Sequence, residues 1–128
     1  MKRLFILLAL LTSSLFTFAQ TNRNKVNLSD KEIVNFLWGF AQAHPDGFTI
    51  GIDTFDQPKE GIVVSYAATQ NSFDKKSLPA VIKHAREHEG FVGGWYNPEN
   101  KKYYFDSNRI FPEDSLAAAV KFARENGQ

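Results

Sequence analysis

The sequence predicts an α+β domain: a two-layer sandwich in which a four-stranded antiparallel sheet from a duplicated ββα unit carries helices on one face, preceded by one extra helix. Three observations point there. Apolar residues recur at helical spacing in three segments and alternate or cluster as in strands in four others. Residues 77–87 and 115–125 match at seven of eleven positions at an offset of 38. The chain has no cysteine but is 14% aromatic, so a packed core rather than disulfides must hold it.

The chain opens with Met1-Lys2-Arg3, an apolar run from Leu4 to Leu11, and Thr17-Phe18-Ala19. That order is the pattern of a secretory signal peptide, with cleavage expected after Ala19. The apolar run is shorter than the ~20 residues needed to span a bilayer. Residues 1–19 are therefore read as a leader, 20–28 as a flexible polar linker, and 29–128 as one domain. A periplasmic or secreted location follows, with no membrane attachment after cleavage. Without Lys2 and Arg3, thirteen basic face fourteen acidic residues. That balance gives no support to electrostatic nucleic-acid binding.

Ser29-Asp30-Lys31-Glu32 has the spacing of a capping box. Ile33, Phe36, Leu37 and Phe40 follow on one helical face, predicting a first helix from Asp30 to Ala43 that ends before Pro45. Residues 48–53 alternate as a half-buried strand, 54–60 are expected to close a hairpin, and the β-branched run 61–67 reads as its partner. A second helix buries Leu78, Val81, Ile82 and Ala85 and stops at Gly90. Residues 91–96 and 102–106 form a second hairpin across Asn97-Pro98-Glu99-Asn100. A third helix, starting near Pro112 to Asp114, is expected to bury Leu116, Ala119, Val120 and Ala123.

The repeat units span about 47–90 and 91–128. Gly47-Phe48-Thr49-Ile50-Gly51 aligns with Gly90-Phe91-Val92-Gly93-Gly94 at an offset of 43. On that alignment Phe48, Ile50 and Ile52 face the helices with Phe91, Gly93 and Trp95. Thr49, Gly51 and Asp53 then face outward with Val92, Gly94 and Tyr96. The polar stretches 69–72 and 107–110 become equivalent strand-to-helix loops that could build one shared site.

His84 and His88 lie one helical turn apart, a spacing that can share a metal. Arg86 between them and the lack of a third ligand nearby favour a solvated helix face. Asp106-Ser107 with His44 contains triad residue types but no nucleophile elbow. No catalytic residue, metal or cofactor is expected. The ligand surface is assigned to Gln70, Asn71, Tyr96, Asp106 and Arg109, with a protein or small ligand as partner.

Pro45, Gly47-Phe48-Thr49, Gly61, Thr69-Gln70-Asn71-Ser72-Phe73, Gly93-Gly94-Trp95-Tyr96-Asn97 and Tyr103-Tyr104-Phe105-Asp106, with the segment from Ala119 to Gln128, carry a resemblance. Together they resemble an uncharacterised module of polyvalent proteins from phages and conjugative elements. The resemblance covers about 85 residues, implies a small α+β fold, and implies no activity. Those modules sit in intracellular or element-encoded proteins, whereas this chain opens with a leader pattern. The expectation is an exported, non-enzymatic binding or interaction module, an immunity-type inhibitor being one version. The alternatives are a small enzyme or enzyme subunit using the polar loops, and a structural module derived from a mobile element.

Overall fold

The computed structural model describes residues 25–128 together with the backbone of Leu7–Leu8. The expected leader otherwise lies outside the described residues, as does the linker from 20 to 24. The element order is β1 (Leu7–Leu8), α1 (Asp30–Ala43), β2 (Phe48–Gly51), β3 (Ile62–Ser65), β4 (Ser72–Phe73), α2 (Asp74–Arg86), β5 (Phe91–Asn97), β6 (Lys102–Phe111) and α3 (Leu116–Glu125). The fold is α+β with an antiparallel sheet, as the pattern of periods requires.

The capping box forms. The Ser29 hydroxyl accepts the Glu32 N–H and the Glu32 carboxylate accepts the Ser29 N–H, so two of the orphan donors at the start of α1 are satisfied. The segment ahead of α1 is attached to the domain. Val26 donates its N–H to the Asp53 carbonyl at 2.8 Å, and Leu28 packs on the core.

The sheet departs from the expectation in strand count and order. Among the described residues the sheet has six strands, not four: five run β1-β3-β6-β5-β2, and β4 pairs with β6 beyond the end of β3. β2 and β3 are not hairpin partners. They sit on opposite sides of the central β5–β6 hairpin, and residues 52–61 cross between them. Local alternation cannot reveal this, because it reports which residues are strands and not which strands pair. β6 is also longer than expected. Ser107, Asn108, Arg109 and Ile110 lie inside it, not in a loop.

Register sets the faces. β2 and β5 pair with Phe48 opposite Gly94 and Ile50 opposite Val92. Phe48 and Ile50 face the helices as expected, and Thr49 and Gly51 face away. On β5, however, Val92, Gly94 and Tyr96 face the helices, while Phe91, Gly93 and Trp95 face away. The sequence offset of 43 is odd, and the antiparallel pairing turns that offset into opposite faces.

Ile33 and Leu37 of α1, Leu78, Val81 and Ile82 of α2, Phe48 and Ile50 of β2, Val92 of β5 and Phe105 of β6 form the main core. A second, smaller core joins Ile62 and Val64 of β3, Phe111 of β6, and Ala119 and Ala123 of α3. The three described helices thus cover one face of the sheet. Leu116, expected to be buried like its counterpart Leu78, is 53% exposed. α3 rides over the edge strand β3, so only one narrow side of it is covered.

Candidate functional site

No described helix covers the other face of the sheet. Strand alternation lines it with Thr49 from β2, Val63 and Ser65 from β3, Gly93 and Trp95 from β5, and Asp106 and Asn108 from β6. Alignment across four strands brings these residues, far apart in sequence, to one cleft of about 190 Å³, with Asp46, Gly47 and Gln128 at its rim.

The floor of the cleft is a closed hydrogen-bond network. Asp106 is half-buried. The Ser65 hydroxyl donates to its Oδ2 at 2.7 Å. The Asn108 carboxamide lies between Asp106, Ser65, Thr49 and the Gly93 N–H. One orientation of the amide satisfies all four: its nitrogen donates to Asp106 Oδ1 at 2.7 Å and to Ser65 Oγ at 3.2 Å. Its oxygen then accepts from Gly93 N at 3.2 Å and Thr49 Oγ at 3.3 Å. Asn108 is 3% exposed, so this saturation is what makes its burial tolerable.

Gly93 makes the network possible. A Cβ at this position would stand 2.7 Å from Asp106 Oδ1 and closer still to the Asn108 amide. Gly93, expected to face the helices, instead lies on the cleft face and admits the chain's own side chains.

Burial raises the Asp106 carboxyl to about 6, against the opposing effect of the Ser65 hydrogen bond. No Lys, Arg or His is among the described residues lining the cleft. A carboxyl in this setting changes charge close to neutral pH. It is a protonatable acceptor held by two donors, with no cation among the described residues lining the cleft to compensate it.

Of the residues assigned from sequence, only Asp106 lies in this cleft. Tyr96 faces the helices and packs against Tyr103, with ring centroids 4.8 Å apart. Arg109 is on that same face, 3.7 Å from Glu89 and stacked over the Phe111 and Phe122 rings. Gln70 is exposed just beyond a 3₁₀ turn (Ala67–Thr69), and its Nε2 donates to the Asn126 carbonyl. Asn71 is exposed in a left-handed backbone conformation, φ 60°, just before β4. The two polar stretches do not form a shared site, because 107–110 is strand.

Sequence reasoning missed Ser65, Asn108 and Thr49. The available signal was a polar residue recurring within strands at positions 49, 65, 106 and 108. Reading it required the strand register.

Asp106, Ser107 and His44 do not converge. Consecutive residues of β6 point to opposite faces, and the Ser107 side chain is buried under the helices. His44 caps α1, stacks on Phe40, and its Nδ1 donates to the Phe40 carbonyl at 2.9 Å. Among the described residues no group of three or more His, Asp or Glu side chains could hold a metal ion. No helix among them is long and apolar enough to cross a membrane.

No family model, curated protein or solved structure matches the chain.

Proposed function

We propose that this chain is an exported, non-enzymatic binding module whose uncovered sheet face takes up a group that donates hydrogen bonds, such as an ammonium or amide, at Asp106. One observation carries the reading: a carboxyl with a raised pKa, held in a cleft by Ser65 and Asn108, with no basic residue among the described residues lining it. A carboxylate buried without a cation costs stability, and such groups concentrate at binding and catalytic sites. A donor group from a ligand would stabilise the charged form that the fold by itself disfavours. The ligand belongs to a small molecule or to a side chain or terminus of a protein partner. Within this reading, the match between 77–87 and 115–125 is a duplicated helix-forming segment of a ββα unit. It is not a symmetry of the site, whose residues come from all four long strands.

Amide chemical shifts of Gly93 and Asn108 test this, read during titration with methylammonium, acetamide, glycerol and acetate. Methylammonium and acetamide are expected to shift these amides above pH 7, and acetate is not. Asp106→Asn is expected to abolish the methylammonium response. A preference for acetate, no response at all, or shifts confined to the helical face would overturn the proposal.

A further inference from the structure

We propose that the stacked His84–His88 pair is a proton-operated latch on the C-terminal helix α3. It lies on the helical face, away from the Asp106 cleft, and does not depend on the binding proposal.

The two apolar cores do not merge into one. Polar and aromatic side chains fill the seam between them, with Tyr66 at its centre. The Tyr66 ring meets His84 at 4.9 Å and His88 at 4.8 Å on α2, and Phe122 at 5.1 Å on α3. Its hydroxyl donates to Glu89 at 2.5 Å, and Glu89 in turn faces Arg109, which lies over the Phe111 and Phe122 rings. Tyr66 also begins the turn that ties down the end of α3: Ala67 N–H donates to Asn126 Oδ1 at 2.9 Å, and Gln70 Nε2 donates to the Asn126 carbonyl at 3.2 Å. A shift of Tyr66 therefore loosens α3 at Phe122 and at Asn126 together.

The two imidazoles hold Tyr66 in place as a neutral pair. Their rings are face to face, 3.9 Å between centroids and 11° from parallel. His88 Nδ1–H donates to the His84 carbonyl at 2.7 Å. His84 Nδ1 is buried with no hydrogen-bond partner among the described residues, which suits a bare ring nitrogen and not an N–H. Protonating both rings would bury an unpaired donor at His84 and set two cations face to face at van der Waals distance.

The charges around the pair are Glu87, which pairs with Lys83 at 3.4 Å, and Glu89, which is shared by Tyr66 and Arg109. Both glutamates favour a cation. Burial and the neighbouring His88 oppose one at His84 and prevail there, lowering its pKa. A folded-state pKa below the unfolded value gives stability that is present above the ordinary histidine range and lost as pH falls through it. A proton on His84 separates the stack.

The test is amide hydrogen exchange of the whole protein at pH 7.5 and 5.5, expressed as protection factors so that intrinsic exchange cancels. The depression of the His84 pKa predicts that protection at Ala119 to Ala123 falls at pH 5.5 while Ile33 to Ala41 in α1 stay protected. His84→Phe keeps the stacked ring without the charge and should abolish the pH response of α3. His88→Gln supplies a second readout: the His84 ring, followed by NMR, should titrate at higher pH once its charged neighbour is gone. Equal loss of protection in α1, an unchanged α3 response in His84→Phe, or a His84 titration indifferent to His88→Gln would each overturn the latch.

Discussion

Replacing Asp106 with asparagine should make the protein more stable at neutral pH while disabling the cleft. Folding raises this carboxyl from 3.8 to about 6. A group whose folded pKa is raised contributes stability that is fully present below the unfolded pKa. That stability is lost as pH rises through the folded value, so here the loss runs from about pH 4 to pH 7. At ~1.4 kcal/mol per unit, the two-unit shift sets a ceiling of ~3 kcal/mol on the cost of ionised Asp106. An asparagine removes the charge at nearly constant volume. It also returns a donor where Asp106 accepted from both Ser65 and Asn108, so one of those groups must reorient, at ~1 kcal/mol. The net expectation is a gain of ~1–2 kcal/mol at pH 7.5, shrinking to nothing or reversing at pH 4. Urea unfolding of both proteins at pH 4, 5.5 and 7.5 measures it. Parallel stability profiles for the two proteins would refute the reasoning, because they would mean that Asp106 titrates alike in the folded and unfolded chains.

Three further outcomes follow from the same packing. Gly93→Ala drives a methyl group into the Asp106–Asn108 network and should cost ~1–3 kcal/mol by urea denaturation, with the Asn108 amide resonance displaced. Ser107 is fully buried and its hydroxyl has no partner among the described residues, so Ser107→Ala should leave stability unchanged or raise it by up to ~1 kcal/mol in thermal denaturation. Ser29→Ala removes the acceptor for the Glu32 N–H, and should lower stability by ~1 kcal/mol with fraying of α1 seen by hydrogen exchange.

The uncovered face and the helical seam divide the protein's polar chemistry between them. Asp106 gathers hydroxyl and amide groups from β2, β3 and β6 around a carboxyl, with no cation among the described residues there. His84, His88, Tyr66, Glu89 and Arg109 gather on the opposite side of the sheet. Neighbours in sequence are separated by the pleat: Ser65 serves the cleft and Tyr66 the seam, as Asn108 serves the cleft and Arg109 the seam. One strand residue therefore decides which of the two sites a side chain can join, and the chain order alone conceals both.

The sequence by itself determined the local elements. α1 was legible to the residue, because a capping box and the proline after His44 act within a single turn of chain. β2, β3, β5, the first half of β6 and α2 were legible because burial on one side imposes a period that survives in the residue order. What only the tertiary structure decided was which strands pair and in what register. The first strand pair looked like a hairpin because its members are close in sequence. Instead β5–β6 lies between them, so β2 and β3 each pair with a strand distant in sequence. The odd offset of 43 then reversed the face of every β5 residue inferred by alignment, taking Tyr96 away from the expected surface and bringing Gly93 to it. Asp106 could be picked from the sequence as a candidate. Its partners Ser65, Asn108 and Thr49 could not, because a cleft floor on a sheet is defined across strands, by hydrogen-bond register, and that geometry leaves no mark along any one of them.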